Sequence, residues 1–329
     1  MIPSRGTAFL VALTSESLRP KGRPVVAVAA LPNLLKMTSG LLAQCHFGDA
    51  GTRVDLAVSG GPDSLGLLLL ALEAGLVVTV HHVDHHARPT SARDADHVEG
   101  ICQQLEVEFV RHDVVVESGA NFESRARSVR RAAMPLGVLT GHTMDDLAET
   151  VLLNMLRGAG LDGLSPMVND STKPLRDLRR SALHAFVNET SFVAVHDETN
   201  DDPAYRRNRV RHELIDVLDD VAGRDIVPIL ARQAALLFDE RTWLDELAFH
   251  DGAVTLEGAD CRELRTWPRA RLRRWLRAQL RAPDQGDGSH PPSADEVERA
   301  LAVVDGDVVA MELGGGRRLS RREQHLTLE

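Results

Sequence analysis

The stretch Val54-Asp55-Leu56-Ala57-Val58-Ser59-Gly60-Gly61-Pro62-Asp63-Ser64-Leu65 decides how this chain folds. One apolar run ends at Val58 and a second, Leu65 to Leu72, opens directly after Ser64, so the segment reads as the turn between a buried strand and a helix. Glycines at 60 and 61 let backbone amides approach an anion with no side chain in the way, and the positive end of the helix adds to the attraction. Ser59 and Ser64 supply hydroxyl donors. The simpler reading is a tight turn in which Asp63 or Ser64 caps the helix. The two commonest phosphate loops are excluded, because neither G-x-x-x-x-G-K-[ST] nor G-x-G-x-x-G occurs at this position.

Beyond this turn, strand-like and helix-like segments alternate. Leu76 to Val80 reads as a strand, Ser91 to Leu105 as a helix, Val107 to Val116 as a third strand and Asn121 to Met134 as a helix. Gly137 to Thr140 follows as a short strand and Met144 to Leu156 as a helix. Such alternation implies an α/β domain with a parallel sheet covered on both faces and ligands at the carboxyl ends of the strands. A helix over Asp177 to Glu189 and a basic helix over Tyr205 to Leu218 continue the domain, which opens with a helix at Leu41 to Phe47. From about Val221 the pattern changes to a helical stretch ending at Phe249, a short strand at Ala253 to Leu256, arginine-rich helices, a loop at Pro283 to Pro292 and a hairpin around Gly314 to Gly316. The expected division is a leader over 1–37, outside the recognisable pattern, with Met1 to Lys36 expected to be either disordered or an artefact of start-site choice with Met37 the true start, a main domain over 38–220 and a smaller α+β domain over 221–329.

The 329 residues are 43% hydrophobic, and no apolar run reaches membrane-spanning length. No targeting segment is legible, which points to the cytoplasm. Cys45, Cys102 and Cys261 are scattered, with neither a disulfide framework nor a C-x-x-C pair for a metal cluster. A formal net charge of -10 argues against nucleic acid, but arginines gather at Lys173 to Arg180, Arg206 to Arg211 and Arg262 to Arg281, and a local basic surface binds phosphate even on an acidic protein. Each cluster also reads as a solvated helix face. The oligomeric state stays open, a homodimer among the alternatives.

Three further constellations border the expected cleft. His81, His82, His85 and His86 surround Asp84 at a strand end, with no zinc-like spacing to a cysteine or further carboxylate, so Asp84 is the more useful group there. In Thr140-Gly141-His142-Thr143-Met144-Asp145-Asp146-Leu147-Ala148-Glu149-Thr150, Asp146 and Glu149 are three apart and share a helix face. Acids in a first helical turn also favour the helix dipole, whereas beside a phosphate loop they suit a cationic substrate. Arg125 and Arg127 are two apart on the Asn121 helix, so one faces the cleft and the other solvent.

At these residues a family resemblance becomes specific. S-G-G-P-D-S resembles the PP-loop of the N-type ATP pyrophosphatases. With H-V-D-H-x-x-R-P, N-F-E-S-R-A-R, T-G-H-x-x-D-D-x-A-E-T-V-L-L-N-x-L-R-G-A-G-L-D-G-L and Y-R-R-N-R-V-R-H-E-L, in this order, the chain is similar to the tRNA(Ile)-lysidine synthetase family from about Leu41 to Leu218. Leu147 stands where that family usually has Gln, His86-Ala87 where it has Gly-Leu, and Asp197 to Asn200 lacks the usual Pro.

The resemblance implies a Rossmann-like sheet of the PP-loop type and a two-step reaction with ATP, Mg²⁺, free L-lysine and tRNA(Ile) bearing a CAU anticodon. It implies ATP phosphates at Ser59, Gly60, Gly61, Pro62, Asp63 and Ser64, with Asp63 and Asp84 positioning Mg²⁺ or nucleotide. Lysine recognition falls to Asp146, Glu149 and Arg209, and tRNA contact to Arg125 and Arg211, with the lysine carboxylate an alternative role for these arginines and for Arg127. His142 is expected near the cleft. The arginine-rich stretch offers Arg269, Arg273 and Arg277 to tRNA backbone. Other PP-loop tRNA-modifying ATPases and a non-catalytic nucleotide- or tRNA-binding protein are the competing readings; the missing C-x-x-C pairs count against a thiolase.

Overall fold

The computed structural model describes residues 32–84, 91–114, 129, 132–195, 202, 204–249, 254–281 and 292–329. Strands β1 (Arg53–Ala57), β2 (Val77–Asp84) and β3 (Glu108–Asp113) form a parallel sheet in the order β1-β2-β3, connected by helices α2 (Pro62–Glu73) and α3 (Ser91–Gln104). Both crossovers step the same way along the sheet, which places both helices on one face. That face is apolar: Leu56, Val58, Val78 and Val80 pack in one core with Leu65 to Leu70 of α2 and Val98, Ile101 and Cys102 of α3. The opposite face mixes valines with polar side chains. There His81 hydrogen-bonds Asp55 (2.9 Å) and His112 (2.9 Å), and Thr79 donates to Glu108 (3.2 Å).

Helix α2 is buried along Ser64 to Ala71 with no polar side, because a further helix closes over it. A Cβ on Gly66 would stand 2.5 Å from Leu183 Cδ1, so glycine is what allows that helix to approach. Before the sheet, α1 (Pro32–Leu42) contributes Leu41 to the same core. The helix expected at Leu41 to Phe47 therefore lies earlier in the chain, and a cut at Lys36 would remove its first turn. The strand expected at Gly137 to Thr140 is a single parallel bridge, Leu56 with Leu139, on the free edge of β1. Most of the expected Asn121 to Met134 helix lies outside the described residues.

Helix α4 (Met144–Leu156) turns Leu147, Ala148, Val151 and Leu152 into two small cores completed by later helices. Leu147, at the position where the family usually has Gln, is 3% exposed in one of them. A short α5 (Leu161–Leu164) follows, then α6 (Arg180–Asn188), the helix that closes over α2. The expected basic helix is not continuous: α7 (Arg206–Arg209) passes into a π-helical segment (Val210–Leu214) and then α8 (Ile215–Ala222). Helix α9 (Val227–Phe249) packs Val227 and Ala234 against the α4 side, while farther along it Asp245 pairs with Arg274 at 2.7 Å.

The remaining residues build their own core around Trp275, from α10 (Cys261–Leu264), α11 (Arg269–Gln279), α12 (Ala294–Asp305) and the antiparallel sheet β4 (Ala310–Glu312), β5 (Arg318–Arg322), β6 (His325–Leu328). Helix α12 is announced by the capping box Ser293-x-x-Glu296, a signal the periodicity reading passed over. The strand expected at Ala253 to Leu256 is absent over its described residues. Instead, Trp275 Nε1 donates to the Val254 carbonyl (2.9 Å) and the Leu256 amide to Gln279 (3.2 Å). Strands β5 and β6 join through Glu323 and Gln324, both at positive φ (49° and 70°), a two-residue turn without the usual glycine or asparagine. Among the described residues no helix is long and apolar enough to cross a membrane.

Candidate active site

The site begins where β1 ends. Gly60 takes φ +93°, and a Cβ there would meet Val98 Cγ2 at 3.1 Å and Val195 Cγ2 at 3.2 Å, so the turn is closed to other residues by conformation and by space. Gly61 is the N-cap of α2 and Pro62 follows at its start, a position where the missing amide costs nothing. The Ser64 hydroxyl donates to the Gly61 carbonyl (2.9 Å), accepts from the Ser59 amide (3.2 Å) and lies 3.2 Å from Ser59 Oγ. These bonds fix the turn with the positive end of a buried twelve-residue helix behind it, an anion-binding geometry.

A second loop is pressed against the first. A Cβ on Gly141 would stand 2.6 Å from the Asp63 carbonyl oxygen, 2.8 Å from its carbon and 3.1 Å from Ser64 N. Two residues on, Thr143 caps α4: its amide (2.8 Å) and hydroxyl (2.9 Å) both donate to Asp146. His142, between them, sits 2.7 Å from the Thr140 hydroxyl. Asp146 and Glu149 are thus delivered beside the phosphate-type turn by packing of backbone on backbone.

Both carboxylates are held by arginine. Arg180 donates to Glu149 (2.9 Å) and Asp146 (3.0 Å), Arg207 to Glu149 (2.7 Å) and Asp146 (3.1 Å), and Arg211 to Glu149 through Nε (2.7 Å) and Nη2 (3.2 Å). The Glu149 side chain is fully buried. Arg180 also reaches back to the phosphate-type turn, its Nε 3.6 Å from Asp63 Oδ2, and Asp63 bonds His184 at 2.9 Å. Arg180 and His184, one turn apart on α6, therefore bridge the two halves of the site. Asp145 lies outside this cluster, on Arg179 (3.2 Å) and the Arg180 amide (2.7 Å).

Burial alone would raise the Asp146 carboxyl, but Arg180 and Arg207 outweigh it and hold it down at about 2. Glu149 is likewise lowered, the hydrogen bond from Arg211 and the charge of Arg180 overcoming its burial. A folded value below the unfolded one means that this stabilisation is complete above the usual carboxylate range and is lost as pH falls through the folded value. Melting temperatures are therefore expected to retain the Asp146 contribution down to about pH 4 and lose it toward about pH 2. Asp146→Asn should flatten that part of the profile; profiles of equal shape would show that the carboxylate is not ionised in the fold.

The other expected site residues fall in different places. Asp84, at the carboxyl end of β2, is buried and paired with Arg111 (2.7 Å). Beside it His82 is buried, which lowers its pKa, and its neutral ring donates from Nδ1 to the Val58 carbonyl (2.8 Å). Arg209 is 62% exposed and pairs with Glu213 (3.0 Å), on the other side of its helix from Arg211. Arg269, Arg273 and Arg277 share one face of α11 but pair with Asp305 (2.5 Å), Glu298 (2.6 Å) and Asp162 (3.0 Å). Arg125, Arg127, His85 and His86 lie outside the described residues. Among those described, no group of three or more His, Cys, Asp or Glu side chains forms a metal cage. Sequence reasoning missed Arg180, Arg207, His184 and Gly141; the first two stood inside noted basic runs without a role.

A glycine-built turn between a parallel strand and a buried helix, without a Walker lysine, defines a PP-loop ATP-binding domain, and the PP-loop domain family matches residues 35–218. Several tRNA(Ile)-lysidine synthases are similar to this chain. That of Thermobifida fusca is 40% identical over 60% of this chain and 66% of its own length. That of Synechocystis is 32% identical over 78% and 84%, and that of Nocardia farcinica 33% identical over 84% and 88%. The chain belongs to the tRNA(Ile)-lysidine synthase family, enzymes of the ligase class. Among solved structures, a U34-tRNA thiolase from Methanococcus maripaludis aligns with a TM-score of 0.49 at 15% identity, over 62% of this chain and 78% of that one.

Proposed function

We propose that this chain joins free lysine to the cytidine at the first anticodon position of tRNA(Ile), in two steps. The C2 carbonyl oxygen attacks the α-phosphate of ATP and pyrophosphate leaves; the lysine ε-amine then attacks C2 and AMP leaves with the oxygen. The observation that carries this reading is the Arg180 bridge, which joins an anion-binding turn to a carboxylate pair. Ser59, Gly60, Gly61 and Ser64 hold phosphate and stabilise the charge that develops in the first step. Asp63, about a third exposed beside the turn, fits a shared Mg²⁺ site, since Mg²⁺ is commonly held by one or two carboxylates together with substrate phosphates. When bound, the ion would neutralise phosphate charge.

The lysine ε-amine has a solution pKa near about 10.4 and must shed a proton to attack. A carboxylate tight against that ammonium opposes the loss. At least one of Asp146 and Glu149 therefore serves by holding the lysine α-ammonium, or by accepting the ε-proton late. Arg211, on Glu149, is placed for the lysine carboxylate or a tRNA phosphate. In the proposed division at 220/221, α9 belongs to the smaller domain and packs Val227 and Ala234 against α4 of the main one, and the reaction takes place in the cytoplasm.

Incubation with ATP, labelled lysine and total tRNA tests the reading: label is expected in tRNA(Ile) alone, with pyrophosphate release dependent on tRNA. Label in no tRNA, or pyrophosphate release without tRNA, would overturn it. For α11, replacing Arg269, Arg273 and Arg277 together by Gln is expected to weaken tRNA binding and make its salt dependence shallower, as fewer counterions are released. Unchanged affinity and slope would mean that the three arginines serve only their carboxylate partners.

A further inference from the structure

The carboxylate pair, as folded, is closed to a cation. Three guanidiniums, those of Arg180, Arg207 and Arg211, surround two carboxylates and occupy the oxygens that a substrate ammonium would have to use. One of the three must leave before an amine can enter. Arg207 and Arg211 come from the α7 and π-helical side, whereas Arg180 stands at the start of α6 and faces the phosphate-type turn as well as the carboxylates. Its Nε is buried with no hydrogen-bond partner and stands 3.6 Å from Asp63 Oδ2. The α6 backbone is held by the close seating of Leu183 on Gly66 and by the His184–Asp63 contact, so the guanidinium is the part free to change partners.

We propose that Arg180 is a positioning residue that couples the two half-sites: polyphosphate held by the Ser59 to Ser64 turn draws its guanidinium off Asp146 and Glu149 and opens the pair to a substrate amine. The inference rests on the reading that this site takes ATP and lysine. A triphosphate carries more negative charge than a carboxylate and engages the planar guanidinium fork through the same paired hydrogen bonds. With Arg180 on phosphate, the Asp146 and Glu149 oxygens it held are open to the amine. Nucleotide must then precede lysine, which enters while the polyphosphate is still bound.

Equilibrium dialysis of labelled lysine with the full chain, with and without Mg²⁺ and α,β-methylene-ATP, which is not cleaved between its α and β phosphates, measures the coupling. Wild type is expected to bind lysine about 10-fold more tightly with the nucleotide, and the analogue's affinity must rise by the same factor when lysine is present. In Arg180→Gln lysine should bind without nucleotide about as well as wild type does with it, the ratio falling to about one. Arg207→Gln, which relieves the same charge but does not face the turn, should bind lysine better while keeping the nucleotide ratio. Equal lysine affinity with and without nucleotide in wild type, or an unchanged ratio in Arg180→Gln, overturns the coupling and leaves the assigned reaction standing. Lysine binding to none of the proteins under any condition overturns that reaction and the coupling with it. Should Arg180→Gln fail to fold, Arg180→Lys, which keeps the charge but lacks the paired fork, is measured instead, and an unchanged nucleotide ratio in it overturns the coupling.

Discussion

Glu149→Gln is expected to abolish lysine incorporation, leave tRNA-dependent pyrophosphate release running and lower the melting temperature, all from one lost charge. The Glu149 carboxylate is fully buried and receives Arg180 at 2.9 Å, Arg207 at 2.7 Å and Arg211 at 2.7 Å. The amide keeps the size but leaves three guanidiniums facing Asp146 alone. Breaking a buried ion pair from one side costs about 3–5 kcal/mol, because the stranded charges stay out of water. In a chain of this size that corresponds to a melting temperature lower by roughly 10 °C. An isosteric change preserves the packing, but the burial of Glu149 makes a stability cost part of the expectation. Assays are therefore run well below the mutant's melting temperature, following lysine incorporation and pyrophosphate release in parallel. Adenylated tRNA should accumulate. Asp146→Asn should act in the same direction, more mildly in stability, since Thr143 can still bond the amide oxygen. Normal lysine incorporation by both variants would remove this pair from lysine recognition, as would a loss of pyrophosphate release as deep as that of a loop mutant.

Gly141→Ala is expected to reduce pyrophosphate release by roughly 10²-fold, although residue 141 belongs to neither the phosphate-type turn nor the acidic helix. Its added methyl would meet the Asp63 carbonyl at 2.6 Å, and Asp63 C and Ser64 N at 2.8 and 3.1 Å. All three are main-chain atoms of the turn, which cannot rotate aside as a side chain would, so the turn itself must shift. An anion site built from backbone amides and a helix end loses its alignment with such a shift. Ser64→Ala offers a comparison, deleting the hydroxyl that joins Ser59 to the Gly61 carbonyl without pushing on the backbone. Both should depress pyrophosphate release, but only Gly141→Ala should also move Asp146 and Glu149 and so weaken lysine binding in the presence of α,β-methylene-ATP. Wild-type pyrophosphate release by Gly141→Ala would show that the two loops yield to one another and that the close approach has no functional consequence.

What the sequence determined by itself was whatever depends on neighbours along the chain. The strand, glycine turn and helix from Arg53 to Glu73 were legible because apolar runs and a glycine pair carry their own conformational instructions. Helix α4 was legible from its period, and with it the shared face of Asp146 and Glu149. The break of the basic helix into a π-segment and the glycine-free turn at Glu323 and Gln324 escaped, because in both the backbone is set by what packs against it and not by local preference. Which arginine does what was decided only by tertiary structure. Arg179 and Arg180 are adjacent, yet one holds Asp145 and the other Asp146 and Glu149; Arg209 and Arg211 are two apart, yet one faces Glu213 in solvent and the other the buried Glu149. Helical geometry says that such neighbours point different ways, but not which way the cleft lies. That direction comes from contacts far apart in sequence, Gly66 with Leu183 and Gly141 with Asp63, whose close approach sets α6 and α4 beside the turn and leaves each charge the partner it can reach.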